Sequence, residues 1–585
     1  MYEGIKMQAY TKTFRELLDP NSNQFVIPFF QRGFVWKKDN WAGLFRDVLA
    51  AINSKQNLFI GAIVLKEKDQ KQHIVIDGQQ RLTTLCILAS VISLINKSDR
   101  DTFKIFFIDS QEPPKSEKPI LVQSHQSEKD FDMIMKLDKL EDFSEVENPS
   151  NVIDAYEYFR KELDKLDEIP SIANFIQAVK FVRIDLDPGE DEQKIFDTIN
   201  SLGIRLTTAD LLKNYLFESN QLDIYNKTWG AEFEQDQESI DYWENDLKTG
   251  RLNKKNIDLF LYYYLQIVYF RDRSIRRFED VSDDKSIRKK DMLFSNYKKY
   301  IEKFAINKKE FVNDLIKYAK EFKSLVQNKD EDLPNKAGLD RLNYIILNLD
   351  CSTVIPYILY ISLEVDDECE KNKIYEYIES YLMRRLLSGA KNTNYSDLFT
   401  ENLIGSGIDT YDKLQKYISD KNYTDALSIP SDESIKFYLK NNEFKNDRAR
   451  AIMYLIESSL RSNKMCTKLH KLEDYTLEHL MPKKWKRNWT LNKKYNEEER
   501  NRFINTLGNM GLITQSLNSS ISNACWSVKI QGSETQDGLK KCASGILTMQ
   551  SVLKKENWDE DCIAERSDFL SNEILKLWSL TKEDE

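Results

Sequence analysis

One junction restricts the folds open to this chain more than any other. An apolar strand, residues 73–76, runs through Asp77-Gly78-Gln79-Gln80-Arg81 straight into a long apolar helix at 82–95. A strand that passes through a glycine turn into a helix start points free backbone N–H groups and the positive end of the helix dipole outward, an arrangement that can hold a phosphate. Gly78 supplies the tight turn, and Arg81 offers a two-pronged contact to phosphate. Asp77 can reach a metal or a ribose, while Gln79 and Gln80 can orient a water or a base. The competing reading is that Arg81 and Asp77 simply pair at the turn. No G-x-x-x-x-G-K-S/T segment occurs, so an ordinary P-loop is not the route to a nucleotide.

The surroundings fit a mixed sheet followed by helices. Residues 59–65 alternate apolar and polar and pair with 73–76 across a polar turn at 66–72. Residues 1–25 read as a lead-in helix with Phe14, Leu17 and Leu18 on one face, and a second helix is expected at 38–52. A strand at 181–186 precedes a helix whose start carries Thr207 and Asp210 at capping-box spacing. An amphipathic helix covers 151–163. From 215 to 443 the pattern is helical nearly throughout, and the aromatic stripes at 259–270 and 374–387 read as core. The few glycines (18) and prolines (12) among 585 residues favour helix as well, and the length allows two to four domains. No apolar run reaches the roughly 18 residues needed to cross a bilayer, and no basic-then-apolar leader opens the chain, so a cytoplasmic protein without membrane attachment is expected. Seven cysteines, an odd number with no C-x-x-C pair, argue against a disulfide framework or a zinc site.

A second constellation lies near the C-terminus. The chain holds only four histidines, and His479 alone sits among possible metal ligands, in Thr-Leu-Glu478-His479-Leu-Met-Pro482. A basic stretch with Lys483, Lys484, Trp485, Lys486, Arg487 and Trp489 follows, then Leu-Gly508-Asn509, Asn518 and Lys529. Two short apolar runs and a helix starting near Leu517 form a strand, strand, helix unit. In it Glu478 and Asn518 are expected as oxygen ligands of one Mg²⁺ or Mn²⁺, which keeps its other positions for water and phosphate. His479 is the expected base. Asn509 is expected to orient its imidazole, and Lys529 to face charge developing on phosphorus. The bland alternative makes His479 a capping or core histidine and the tryptophans local core. Residues 461–530 hold 13 Lys plus Arg against 6 Asp plus Glu, a local +7 within a chain of net charge −10. That local excess is a footprint for DNA phosphates, with Lys483, Lys484, Lys486 and Arg487 as the contacts.

Glu-His-x-x-Pro with Gly-Asn-x-x-Leu, Asn518 and Lys529 resembles the C-terminal His-Me finger (HNH-type) nuclease domain of the GmrSD-like modification-dependent restriction enzymes. Trp558 and Arg566 are similar to that domain's closing motif. Ile-Pro-x-x-Gln31-Arg32-x-Phe-x-Trp together with Ile-Asp77-Gly-Gln-Gln-Arg81-x-Thr-Thr-Leu resembles the N-terminal domain of the same family, related to the ParB and sulfiredoxin nucleotide-binding fold. The resemblance implies a multidomain, predominantly helical α+β protein. Its parts are a ParB/sulfiredoxin-like domain at 1–220, a helical middle region at 221–444, and a ββα-metal nuclease core in a helical domain at 445–585. It further implies that Gln31, Arg32, Asn200, Gly203, Asp210 and Lys213 join the Asp77 to Arg81 turn around one nucleoside triphosphate, GTP, ATP or another. Asp210 as a mere cap and Lys213 as a solvated helix face are the plainer readings.

By resemblance the activity is nucleotide-regulated, metal-dependent cleavage of double-stranded phage DNA carrying modified bases such as glucosylated hydroxymethylcytosine, with NTP hydrolysis and possible homodimerisation. Alternatives of the same domain pair are a phosphorothioate-sensing NTPase that nicks DNA, with Gln31 and Arg32 in the reader, and an NTP-gated DNA-binding protein with an inert nuclease module. Arg384 and Arg385 read equally as DNA contacts or as internal braces.

Overall fold

The computed structural model describes residues 8–18, 24–29, 31, 33–69, 72–109, 118–123, 128–186, 207–218, 221–249, 252–276, 287, 289, 292–327, 338–419, 427–461, 469–514, 517 and 519–580. The chain forms two compact units, 1–227 and 228–585.

The first unit is built on a six-stranded mixed sheet. Its strands are β1 (Gln8–Thr13), β2 (Gln24–Ile27), β3 (Leu58–Asp69), β4 (Gln72–Asp77), β5 (Leu121–Gln123) and β6 (Val179–Leu186), in the order β1-β6-β3-β4-β2-β5. β3 and β4 form the expected antiparallel pair, and β6 lies parallel to β3. The lead-in helix is a correction: 8–13 is an edge strand antiparallel to β6. Thr13 ends that strand and starts a one-turn helix, Phe14–Leu17. The Thr13 hydroxyl accepts from the Glu16 N–H at 3.1 Å, and the Glu16 carboxylate accepts from the Thr13 N–H at 2.7 Å. A cap placed there confines the apolar face of Phe14 and Leu17 to one turn and leaves the preceding residues free to pair as a strand.

Helices α1 (Lys38–Ser54), α2 (Gln79–Ile95) and α3 (Asn151–Leu163) belong to the same unit. α2 is apolar on every side because every side is covered: Leu85, Ile87, Ala89 and Val91 are fully buried, and so are Ser90 and Thr84, which bond to backbone carbonyls. Burying one such leucine or isoleucine contributes about 1.5–3 kcal/mol. α4 (Thr208–Leu216) places Leu211 against Val64, Ile76 and Leu186 in a small apolar cluster separate from the main core.

The second unit is mainly helical. α5 (Asn256–Arg276) and α6 (Glu368–Leu387) bury their aromatic stripes, with Phe260, Tyr264, Phe270 and Tyr381 at 2% exposure or less. A short hairpin, Asp246–Thr249 with Leu252–Lys255, interrupts the expected run of helices. Arg384 and Arg385 are braces. Arg384 donates to the Trp578 carbonyl at 3.3 Å and the Pro430 carbonyl at 3.1 Å and pairs with Asp432. Arg385 donates to the Tyr395 hydroxyl and to the Ser428 and Lys391 carbonyls at 2.7–2.8 Å.

Near its end this unit carries α7 (Asn446–Leu460), the antiparallel strands β7 (Thr476–His479) and β8 (Met510–Ile513), α8 (Trp526–Gln531) and α9 (Glu560–Leu577). α9 crosses close to Gly508: a Cβ there would stand 2.1 Å from the Ser567 hydroxyl and 2.5 Å from the Ile563 carbonyl. Gly508→Ala is therefore expected to destabilise the unit by about 1–3 kcal/mol, read as a lowered Tm in thermal unfolding, because a helix backbone must move to admit one methyl group.

Candidate active site

β7 and β8 pair Glu478 with Gly511 and His479 with Met510. Beyond the pair, the Leu480 N–H donates to the Asn509 carbonyl at 2.8 Å. The Asn509 side chain is a structural hub. Its Oδ1 accepts from the Met481 N–H at 2.7 Å and the Trp558 indole at 3.1 Å, and its Nδ2 donates to the Met481 and Ile504 carbonyls at 2.8 and 3.0 Å. It therefore orients the backbone that follows His479 and has no contact with the imidazole, contrary to the role expected of it. Arg566 supports the same turn. Its guanidinium is buried and donates to the Gly508 and Met510 carbonyls at 2.9 and 2.6 Å, and burial pushes its pKa down to about 9.

His479 is held neutral. Burial first, then the fields of Lys483 and Lys529, push its pKa down to about 4. No described residue bonds its Nε2, which is enclosed. A neutral imidazole with an unengaged nitrogen is the form that can accept a proton at neutral pH.

Lys529 departs furthest from expectation. Its side chain is fully buried, and its three N–H groups are spent on the Glu478 carboxylate at 2.7 Å, the Ser522 carbonyl at 2.9 Å and the His479 carbonyl. No N–H remains for a phosphate in this arrangement. Burial lowers its pKa, opposed by the Glu478 charge.

Glu478 Oε1 also accepts from the Ser522 hydroxyl at 2.6 Å, whereas Oε2 bonds to no described residue. That oxygen suits a single inner ligand of a divalent ion. The expected second ligand, Asn518, lies outside the described residues. Among the described residues no group of three His, Cys, Asp or Glu side chains could hold an ion. A single carboxylate oxygen is a donor of the kind Mg²⁺ takes, since that ion keeps most of its water.

In the basic segment, Lys483, Lys484, Lys486 and Arg487 are exposed, and Lys486 pairs with Glu497 at 2.6 Å. The tryptophans between them are packed. Trp485 donates to Asn501 and lies under the Arg500 guanidinium, and Trp489 donates to the Ala524 carbonyl at 2.9 Å.

In the first unit the glycine turn forms as expected. Gly78 caps α2 at φ +101°, a conformation costly for any residue with a Cβ. Arg81 and Asp77 do pair, at 3.1 Å, and Arg81 also donates to the Ile60 carbonyl at 3.0 Å. Gln80 is committed to the 33–36 segment: its Oε1 accepts from the Val35 and Trp36 N–H groups at 2.9 and 3.2 Å, and its Nε2 donates to the Gly33 carbonyl. Gln31 donates to the Val75 carbonyl at 2.7 Å. These bonds bring the segment around Gln31 and the Asp77 to Arg81 turn together. The Oε1 atoms of Gln31 and Gln79 are buried with no bonding partner among the described residues. Asp210 closes the capping box with Thr207 and lies 3.6 Å from the Lys213 ammonium, both buried rather than solvated. Through Leu211, α4 packs beside Ile76, the residue just before Asp77. Arg32, Asn200 and Gly203 lie outside the described residues.

Sequence reasoning missed Ser522 and Glu457. Ser522 lies in the sequence between Asn518 and Lys529, four residues after the first and seven before the second, where its hydroxyl could have been flagged. Glu457 is an acid inside the apolar helix α7 with Arg461 one turn on, a spacing that signals a buried pair.

Both units match a known family, the first over most of its length and the second over its C-terminal part. The GmrSD restriction endonuclease N-terminal domain matches residues 14–217, and the GmrSD restriction endonuclease C-terminal domain matches residues 429–573. A chain carrying both is a restriction endonuclease with DNA as its substrate. It belongs to the GmrSD restriction endonuclease family. No curated protein matches it. Among the described residues no single helix is long and apolar enough to cross a membrane.

Proposed function

We propose that the chain cleaves modified phage DNA by metal-dependent phosphodiester hydrolysis at the β7–β8 unit, regulated by a nucleoside triphosphate bound beside Gly78. The observation that carries the hydrolytic reading is the enclosed Nε2 of a neutral His479, bonded to no described residue, in the strand that also carries Glu478, whose Oε2 bonds to no described residue. His479 accepts the proton of the attacking water. Asn509 and Arg566 hold the turn that fixes the backbone around His479, through the Met481 N–H and the Gly508 and Met510 carbonyls. A Mg²⁺ or Mn²⁺ ion, held by Glu478 and Asn518, supplies charge neutralisation at the phosphate and acidity to water.

Regulation rests on the glycine turn, the α2 N-terminus and the two buried carboxamide oxygens of Gln31 and Gln79, which suit donors on a nucleotide. Asp77, Arg81, Asp210 and Lys213 are assigned to the same nucleotide, as are Arg32, Asn200 and Gly203 by family resemblance. The test is cleavage of phage DNA with Mg²⁺, with EDTA, and with each NTP added. Cutting that needs the metal and changes with one NTP supports the reading. Cutting that persists in EDTA contradicts the metal, and indifference to every NTP contradicts the regulation.

DNA engages the exposed cations after Pro482. Replacing Lys483, Lys484 and Arg487 together by glutamine is expected to lower the slope of log affinity against log salt by about 2–3, since each duplex phosphate neutralised contributes about 0.9. Filter binding across a salt series reads it, and an unchanged slope would place the DNA elsewhere.

A further inference from the structure

We infer that Lys529 is an internal cation that competes with the divalent metal for Glu478, so that metal binding releases its ammonium. This deepens the metal reading above and rests on it. The ammonium is fully buried, all three of its N–H groups have acceptors, and one of those acceptors is the carboxylate proposed above to hold the metal. A divalent ion held by the other oxygen of Glu478 would share that carboxylate with the Lys529 ammonium. Two cations that close in a buried site repel strongly. The repulsion is relieved when the ammonium leaves Glu478.

Its remaining acceptors show what such a move would loosen. They are the carbonyl of His479, the proposed base, and that of Ser522, whose hydroxyl donates to the same Glu478 oxygen. Exchange of one cation for the other would therefore alter the support of the base and of the 519–522 turn together. Lys529 is in this account a positioning residue whose bonds depend on the metal, and it makes no contact with phosphate.

The test uses the full chain and Mn²⁺. Binding is measured by electron paramagnetic resonance for wild type, Glu478→Gln and Lys529→Met, and the reactivity of Lys529 in the wild type toward an amine-acylating reagent is followed by mass spectrometry in EDTA and at saturating Mn²⁺. We expect Lys529→Met to bind Mn²⁺ at least about tenfold more tightly, as removal of one nearby positive charge requires. We also expect the wild-type lysine to be protected in EDTA and labelled with Mn²⁺. Unchanged or weaker binding in Lys529→Met, or protection that persists at saturation, would overturn the competition. The labelling experiment stands even where the variant does not fold. Binding by Glu478→Gln equal to that of the wild type would instead remove the metal from Glu478 and take both readings with it.

Discussion

The His479→Ala protein is expected to cut DNA about 10²–10⁴ times more slowly than the wild type, with DNA affinity unchanged. The size follows from the loss of the neutral imidazole assigned as the base, while the exposed cations at 483–487 stay in place. The pH profile gives a second readout. Because burial and two lysines hold the imidazole near 4, it is unprotonated through the whole physiological range, and the acid limb of the wild-type rate should fall near pH 4 rather than near the ordinary 6.5. Stability has the same sign. The unfolded chain takes up this proton first as pH drops, so the contribution of a neutral buried His479 is complete above about 6.5 and is lost as pH falls toward 4. Single-turnover cleavage between pH 4 and 8 checks the rate. A limb centred at 6.5 would mean that the working imidazole is solvated.

The largest loss of stability is expected at Glu457. Its carboxylate has no exposure and takes four bonds: two from the Arg461 guanidinium at 3.0 and 2.9 Å, one from the Leu547 N–H at 2.9 Å and one from the Thr548 N–H at 2.8 Å. Glu457→Leu leaves Arg461 buried without its counter-charge and two N–H groups without acceptors, a change that costs about 3–5 kcal/mol. The turn it releases carries Met549, which packs on Gly511, the residue paired with Glu478. The same substitution should therefore lower both the Tm and the fraction of active protein. A double replacement of Glu457 and Arg461 by leucine and methionine should recover part of the Tm, because the charge left behind is then gone.

The two sites were legible in the sequence to different depths. The glycine turn after β4 could be read because one local pattern, strand to Gly78 to apolar helix, specifies it, and the Thr207–Asp210 cap is equally local. What Gln80 and Gln31 do was out of reach, since each bonds to a segment more than forty residues away. The edge strand β1 was misread for a related reason: six residues with little apolar alternation gain their conformation from pairing with β6, which the local pattern does not contain.

At the β7–β8 unit the spacing located the two strands and the basic segment, but it gave the wrong reach to two side chains. Asn509 and Lys529 are polar residues that fold inward to satisfy backbone carbonyls, and a sequence cannot tell an inward-pointing lysine from one aimed at substrate. Arg384 and Arg385, undecided from the sequence, prove to be internal braces.

The central claim is a DNA-cutting site at Glu478 and His479 directed at modified DNA. Its most direct measurement is cleavage of matched phage DNAs, unmodified, glucosylated and phosphorothioated, by wild type and Glu478→Gln with Mg²⁺. The account predicts that the wild type cuts the glucosylated DNA in preference to the others and that the variant cuts none of them. Equal cutting by wild type and variant would place the chemistry away from the β7–β8 pair and contradict the account.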